Sequence, residues 1–164
     1  MPELRVIGPD DWRLWRELRL LALEESPEAF ESRLSDWQGP GDRAERWRER
    51  LASVPFNVMA VDGGRPVGMA SGTPAEAPHP ASVELISMYV HPEARASGVA
   101  SRLVDAVSDW ARAQGSAEVV LRVRTSNERA KAFYRRCGFE DVGPADREPG
   151  EAPEIVMRRH TISE

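Results

Sequence analysis

Apolar and polar positions along the chain alternate with two distinct periods, and these divide it into strands and helices. Residues 4–7 alternate briefly and read as a first strand. Trp12, Trp15, Leu18, Leu21 and Ala22 then recur at spacings of three and four, the stripe of an amphipathic helix, with Asp10 placed as its N-cap. Pro27 interrupts that stripe and suits the first position of a second short helix over residues 27–30. Residues 37–42, with Gly-Pro-Gly inside, read as a loop. A third helix over 43–52 is mostly charged and so expected to be largely solvated. Strand-like runs at 56–61 and 67–71 flank Asp62-Gly63-Gly64-Arg65, a hairpin turn that requires positive φ. Residues 73–80 hold three prolines and no periodicity, which predicts a loop. A strand at 83–90 is followed by a helix over 98–114, apolar at Leu103, Val104, Val107 and Trp110 and stopped by Gly115. A strand at 119–123, a helix over 127–137 and strands at 139–142 and 155–159 complete the pattern, with a proline- and acid-rich loop within 141–153. Leading strands followed by a strand–helix–strand–helix–strand run predict an α/β fold, a mixed central sheet with helices on both faces.

The most informative stretch is 86–100, Ile-Ser-Met-Tyr-Val-His-Pro-Glu-Ala-Arg-Ala-Ser-Gly-Val-Ala. Its apolar run ends at His91-Pro92, and after a short turn a helix opens. Small residues at Ala96, Ser97, Gly98 and Ala100 let the backbone approach a ligand closely. The first N–H groups of a helix have no partner within it, and the dipole there favours negative charge, so the turn suits a pyrophosphate. Tight packing at a strand-to-helix junction is the plainer reading of the same residues. Further on, Asn127 and Tyr134 stand seven residues apart, nearly two helical turns, and share one face with Ala130 between them.

Arg95-x-x-Gly98-x-Ala100 followed by Asn127-x-x-Ala130-x-x-x-Tyr134-x-x-x-Gly138-Phe139 resembles the GNAT superfamily of N-acetyltransferases. The resemblance runs over residues 4–160 and implies a single domain, residues 4–162, with the GNAT fold. It further implies that strands 83–90 and 119–123 are the two central parallel strands, splayed apart to admit the pantetheine arm of acetyl-CoA. On the same resemblance Met88, Tyr89 and Val90 lie along the cofactor: the Met88 N–H is the oxyanion donor and Val90 hydrogen-bonds the arm as an added strand would. Arg95, Ala96, Ser97, Gly98, Val99 and Ala100 form the turn whose amides hold the pyrophosphate. Asn127 binds the arm or fixes the separated strand ends, with helix capping as the competing role. Tyr134 is the candidate general acid for the departing thiolate, against a plain core tyrosine. Arg102, Arg129, Lys131, Arg135 and Arg136 are candidate phosphate contacts or ordinary surface charges. The chain departs from the pattern at Ala96 and Ser97, where many relatives have glycine and a basic residue; this bears on affinity more than on fold.

Moving an acetyl group from a thioester to an amine needs a neutral acceptor, a donor to the oxyanion and a proton for the leaving thiolate. A primary amine has a pKa near about 10, so a base or a water path must deprotonate it. Glu84 is the candidate base. Residues at this distance before the Arg-x-x-Gly motif take that role in the histone-acetylating branch that the chain resembles. Period-2 alternation places Glu84, Ile86, Met88 and Val90 on one face, a parity that a bulge would break. A solvated or salt-bridged carboxylate is the competing reading.

At 164 residues the chain fits one domain with a sizeable core, and 41% hydrophobic with 30% charged residues fits a soluble globular protein. No apolar run reaches membrane-spanning length, and the first residues lack the apolar core of a secretory signal, so a cytoplasmic location and no membrane partner are expected. The single cysteine, Cys137, allows no intrachain disulfide and reads as a buried small hydrophobe. His79 and His91 precede prolines and His160 lies near the end; none has metal-ligand spacing, so no metal is expected.

The formal charge of −5 disfavours nucleic acid and favours a cationic acceptor. Lys131 is the one lysine among 22 basic residues, a bias that a coding sequence rich in G and C explains. The resemblance places the acceptor between residues 23–37 and 143–153. Glu24, Glu25, Glu28, Glu31 and Asp36 make the first segment acidic, and Glu148, Glu151 and Glu154 do so for the second. Phe30, Trp37 and Trp47 either wall that site or pack in the core. The function expected is therefore an acetyl-CoA-dependent N-acetyltransferase acting on a small, cationic primary amine by direct attack in a ternary complex. Acetylation of protein N-termini or lysines, or a non-catalytic coenzyme A-binding regulatory module, are the alternatives. A homodimer through the sheet edge is compatible with the resemblance.

Overall fold

The computed structural model of the protein describes residues 1–30, 33–76 and 81–161. Seven strands, β1 (Glu3–Val6), β2 (Phe56–Asp62), β3 (Arg65–Pro74), β4 (Val83–Val90), β5 (Glu118–Arg124), β6 (Glu140–Pro144) and β7 (Glu154–His160), form one sheet. Their order is β1-β2-β3-β4-β5-β7-β6. Every neighbouring pair is antiparallel except β4 and β5, the parallel pair at the centre. The hairpin between β2 and β3 turns on Gly63 and Gly64, both at positive φ, as the pattern predicts.

Helices α1 (Trp12–Glu25) and α2 (Ala44–Ser53) cover one face, where Trp15, Leu18, Trp47 and Leu51 pack on Met59, Met69 and Tyr89. Helices α3 (Val99–Ala113) and α4 (Glu128–Arg136) cover the other. There Leu103, Val104 and Val107 meet Val58, Ala60, Ala70 and Leu121. A Cβ on Gly68 would stand 2.8 Å from Leu103 Cδ1, and one on Gly72 would stand 3.1 Å from the Trp110 ring. These glycines let α3 lie directly on β3. The mixed sheet with helices on both faces is the predicted α/β fold.

Several local expectations are corrected. A 3-10 turn, Pro9–Asp11, precedes α1, and the N-cap is Asp11 rather than Asp10. The Asp11 carboxylate accepts the Gly8 N–H at 3.0 Å, which spends the cap on the turn entering the helix. Residues 27–30 form one 3-10 turn, Pro27–Ala29, before Phe30 becomes extended. The 37–42 loop contains a further 3-10 turn, Gly39–Gly41, just after Leu34–Trp37. Thr73 and Pro74 belong to β3, while the later part of that predicted loop, with His79, lies outside the described residues, as do Glu31 and Ile162.

Five of the ten residues of α2 are exposed, as its charge predicts, and the helix is anchored by a narrow inward face. Trp47 and Leu51 are buried in the core and Arg50 is drawn inward with them. The Trp47 Nε1–H donates to Asp42 at 2.8 Å, and Arg16 Nε donates to the same carboxylate at 2.7 Å. The Arg16 and Trp47 bonds hold the Asp42 pKa down to about 2. A carboxylate depressed on folding contributes stability above its unfolded value, 3.8, and loses it as pH falls through about 2. Asp42→Asn is therefore expected to lower the melting temperature at pH 7, and the gap from wild type should close as pH is taken from about 4 to 2. Parallel thermal melts of the two proteins across that range are the check.

Candidate active site

Two irregularities of the central sheet build the site. Across β3 and β4, Met69 faces Tyr89 while Ser71 faces Ile86, so β4 carries one extra residue between those partners. The surplus is absorbed at Ser87, whose φ is 56°, and neither Ser87 nor Met88 has a partner in β3. This bulge overturns the expected parity. Val83, Leu85, Met88 and Val90 all pack with the α3 cluster, whereas Glu84 and Ile86, alternating with Val83 and Leu85, point away from it. Glu84 and Met88 therefore approach the cleft from opposite faces.

The second irregularity is the parting of β4 and β5. They pair only at Val83↔Val119 and Glu84↔Val120. Beyond that point they bound a cleft of about 1020 Å³, lined by Ile86, Ser87 and Met88 on one side and Leu121 and Val123 on the other. It runs from α1 and the turns after it to Asn127, Ala130 and Tyr134 of the second helical layer. Tyr134 packs edge-on against Phe139, with ring centroids 5.6 Å apart. Burial, then the neighbouring Cys137 thiol, push its phenol pKa above the ordinary tyrosine range. Cys137 itself is half-buried rather than fully buried, and burial raises its pKa too.

Beyond β4, a 3-10 turn (Pro92–Ala94) leads into the loop that opens α3. Ala96 has φ 66° and Gly98 has φ 85°. Gly98 is the α3 N-cap and supplies no side-chain cap. Among the described residues, no turn or cap hydrogen bond consumes the N–H of Ala96, Ser97, Gly98, Val99 or Ala100. These amides stand at the positive end of a 15-residue helix. Alanine at a left-handed φ costs about 1 kcal/mol, which gives the expected departure at Ala96 a structural meaning. The Ser97 hydroxyl is turned onto the Ala94 carbonyl.

Other predicted residues are held by the protein itself. Asn127 Oδ1 accepts the Ala130 N–H at 3.1 Å, capping α4 while the residue also lines the cleft. Glu84 accepts from Arg122 Nε at 3.2 Å, the salt-bridged arrangement named as its competing reading, and also lines the cleft. Tyr89 donates its hydroxyl to Glu25, whose other contact is Arg95 Nη2 at 2.8 Å, and Arg95 Nε reaches the Val90 carbonyl at 3.0 Å. Although desolvation opposes it, Tyr89 and Arg95 draw the Glu25 pKa down. This trio ties the end of α1 to the end of β4. Of the candidate phosphate contacts, Lys131 is buried against Glu128 at 2.9 Å, Arg135 pairs with Asp141 at 3.0 Å, and Arg102 donates to the Pro2 carbonyl at 2.8 Å. Arg129 and Arg136 remain exposed. Trp47 belongs to the core, and Trp37 packs against it at a tilt of 35° with centroids 4.4 Å apart; of the three aromatic candidates only Phe30 lines the cleft.

The acetyltransferase (GNAT) family matches this chain over residues 15–139, a span that contains the bulge, the α3 turn and Tyr134. The chain belongs to that family. Among relatives, an aminoglycoside N(6')-acetyltransferase type 1 of Stenotrophomonas maltophilia is 28% identical over 149 residues, covering 86% of this chain and 88% of that enzyme. An uncharacterized protein of Mycobacterium leprae is 35% identical over 132 residues, 79% of this chain but only 36% of that protein. The chain thus spans about a third of one relative and most of the other. The GNAT fold recurs in a phosphinothricin acetyltransferase from Sinorhizobium meliloti, solved in complex with acetyl-CoA. Its TM-score is 0.76 at 20% identity, covering 97% of this chain and 88% of that one.

Two residues of this GNAT site were missed in the sequence. Arg19 is 8% exposed and lines the cleft from α1; Arg50 lines it from α2. A signal for Arg19 was present: it falls four residues after Trp15 and four before Leu23, on the apolar stripe of α1. No helix among the described residues is long and apolar enough to cross a membrane, and no cluster there could hold a metal ion.

Proposed function

We propose that the protein is an acetyl-CoA-dependent N-acetyltransferase that acylates a primary amine of a small molecule by direct attack within a ternary complex. The observation that carries this reading is the continuity of one cleft past the bulge at Ser87–Met88 toward Tyr134, with a row of uncommitted amides opening α3 beyond β4. The residues present fit acetyl-CoA. Amides of Ala96, Ser97, Gly98, Val99 and Ala100 would hold the pyrophosphate, and the parted edge of β4 at Met88 and Val90 would take the pantetheine arm as a strand. Tyr89 and Arg95, tied to Glu25, would brace the junction between these two sites. Acetyl-CoA, when bound, supplies a thioester whose carbonyl carbon accepts the nucleophile.

In this reading the amine nitrogen attacks that carbon, the carbon–sulfur bond breaks, one proton leaves the nitrogen and one reaches the departing sulfur. The Met88 N–H, released from the β3 ladder by the bulge, donates to the developing oxyanion. Tyr134 supplies the thiolate proton. Glu84 receives the amine proton, directly or through water. Glu84→Gln should lower kcat/KM at least about tenfold near pH 7; initial rates from pH 6 to 9 that match wild type would remove this role.

Isothermal titration with acetyl-CoA, followed by thiol release over a panel of amines, tests the proposal as a whole. It fails if the protein takes up neither acetyl-CoA nor coenzyme A. The α3 turn has its own test. Valine at Gly98 would be forced to φ 85°, at about 1–2 kcal/mol. A loop that relaxes to avoid this withdraws its amides, so Gly98→Val should weaken acetyl-CoA binding by about 5- to 30-fold in the same titration.

A further inference from the structure

Three carboxylates of the acidic segments expected to receive a cationic acceptor, Glu25, Glu151 and Glu154, are paired within the protein. Glu25 is bound to Tyr89 and Arg95. Glu151 and Glu154 both pair with Arg147, at 3.3 and 3.0 Å, and Glu84 with Arg122. Arg19 and Arg50 are in the opposite condition. The Arg19 guanidinium lies 4.7 Å from the Phe30 ring centroid, is almost fully buried, and has one terminal nitrogen, Nη1, without any hydrogen-bond partner. Burial, then the charge of Arg50, lowers its pKa to about 10, and among the described residues no carboxylate acts in the other direction. It therefore remains a cation at neutral pH. Arg50 is placed by neutral oxygens only: Asn57 Oδ1 at 3.0 Å, Ser71 Oγ at 3.2 Å and Ser87 Oγ at 3.0 Å. Its pKa is likewise lowered to about 10, by burial.

Two desolvated like charges with no counter-ion among the described residues are costly to fold, and the cost is recovered when an anion arrives. Both residues line the cleft, so an anion that pairs with them enters with a ligand. A guanidinium matches a carboxylate in shape and hydrogen-bond geometry. Arg50 also fixes how close that carboxylate stands to the chemistry, because its Nη2 bonds Ser87, the residue before Met88. A carboxylate held here is a near neighbour of the amine under attack.

We infer that the acceptor is an amino-acid-like zwitterion, a primary amine with a carboxylate close by, and that Arg19 and Arg50 form the carboxylate subsite. This rests on the acetyltransferase reading and narrows it. The amine carries the positive charge expected of the acceptor, and the second charge is negative.

The test pairs each standard α-amino acid with its own carboxamide, adds spermidine as a polycation, and follows thiol release at saturating acetyl-CoA. Wild type should favour the best acid over its amide by about tenfold or more in kcat/KM, as expected for a charge-assisted hydrogen bond. Arg19→Leu should remove that preference by raising the KM of the acid toward that of its amide. The same variant should melt no lower than wild type in the absence of ligand, because it deletes an uncompensated buried charge; a purely structural arginine would give a loss. Arg19→Gln provides a second, polar version should the leucine protein fail to fold. Amides or spermidine reacting as well as the acids would overturn the inference, as would a preference that survives both substitutions. Acetyl-CoA binding without turnover of any amino acid would overturn it too. Absence of acetyl-CoA binding would instead remove the acetyltransferase reading beneath it.

Discussion

Tyr134→Phe is expected to lower kcat by about 100- to 1,000-fold while leaving the acetyl-CoA dissociation constant within about threefold. The substitution deletes one oxygen. The ring contacts with Phe139 and Phe133, which seat the side chain beneath α4, remain available to phenylalanine. On the proposed mechanism, what is lost is the donor that protonates the departing thiolate. Burial raises the phenol pKa, so the neutral donor form persists through the working range. Its deprotonation should therefore produce no alkaline limb in kcat below about pH 10. Single-turnover rates and acetyl-CoA titrations on both proteins separate chemistry from binding. Turnover equal to wild type would show that water delivers the proton.

Trp47→Ala should cost about 3–5 kcal/mol of folding stability. The side chain is 0% exposed, packs against Trp37, and donates its indole N–H to Asp42. Removing it opens a large cavity between α1, α2 and the sheet and takes a donor from a carboxylate otherwise held by Arg16. At roughly 2–4 °C per kcal/mol for a domain of this size, the melting midpoint should fall by about 6–20 °C. A fall of only a few degrees would mean that the cavity collapses onto its neighbours. This residue was a candidate for the acceptor wall; its burial makes it a determinant of whether the α1–α2 layer exists at all.

The contrast between Trp47 and Arg19 shows what the sequence could and could not convey. The bounds of β4 are legible in the sequence, because a run of apolar residues closed by His91-Pro92 admits little else. The α3 turn was legible for a similar local reason: only small residues tolerate its positive φ values. The charge of α2 makes its exposed side legible, but only tertiary packing selects Trp47, Arg50 and Leu51 as its inward face. The bulge at Ser87 left no trace in composition, so alternation put Glu84 and Met88 on one face when the chain places them on two. Counting acidic residues over the acceptor segments could not reveal that Arg95 holds Glu25 and Arg147 holds both Glu151 and Glu154. An arginine on an apolar stripe was visible throughout, and its meaning depended on finding no carboxylate opposite it among the described residues.

The brief pairing of β4 with β5 has a mechanical corollary. Two rungs join a four-stranded half, β1 to β4, to a three-stranded half, β5 to β7. Two strands deep in the molecule therefore carry the bare backbone that other sheets confine to their rims. Helix α3 touches β2, β3, β4 and β5 and so straps the halves together across this fault line. Slow amide exchange should accordingly be concentrated under α3, and deuterium should enter the facing margins of β4 and β5 early, even though both strands sit at the geometric centre of the sheet.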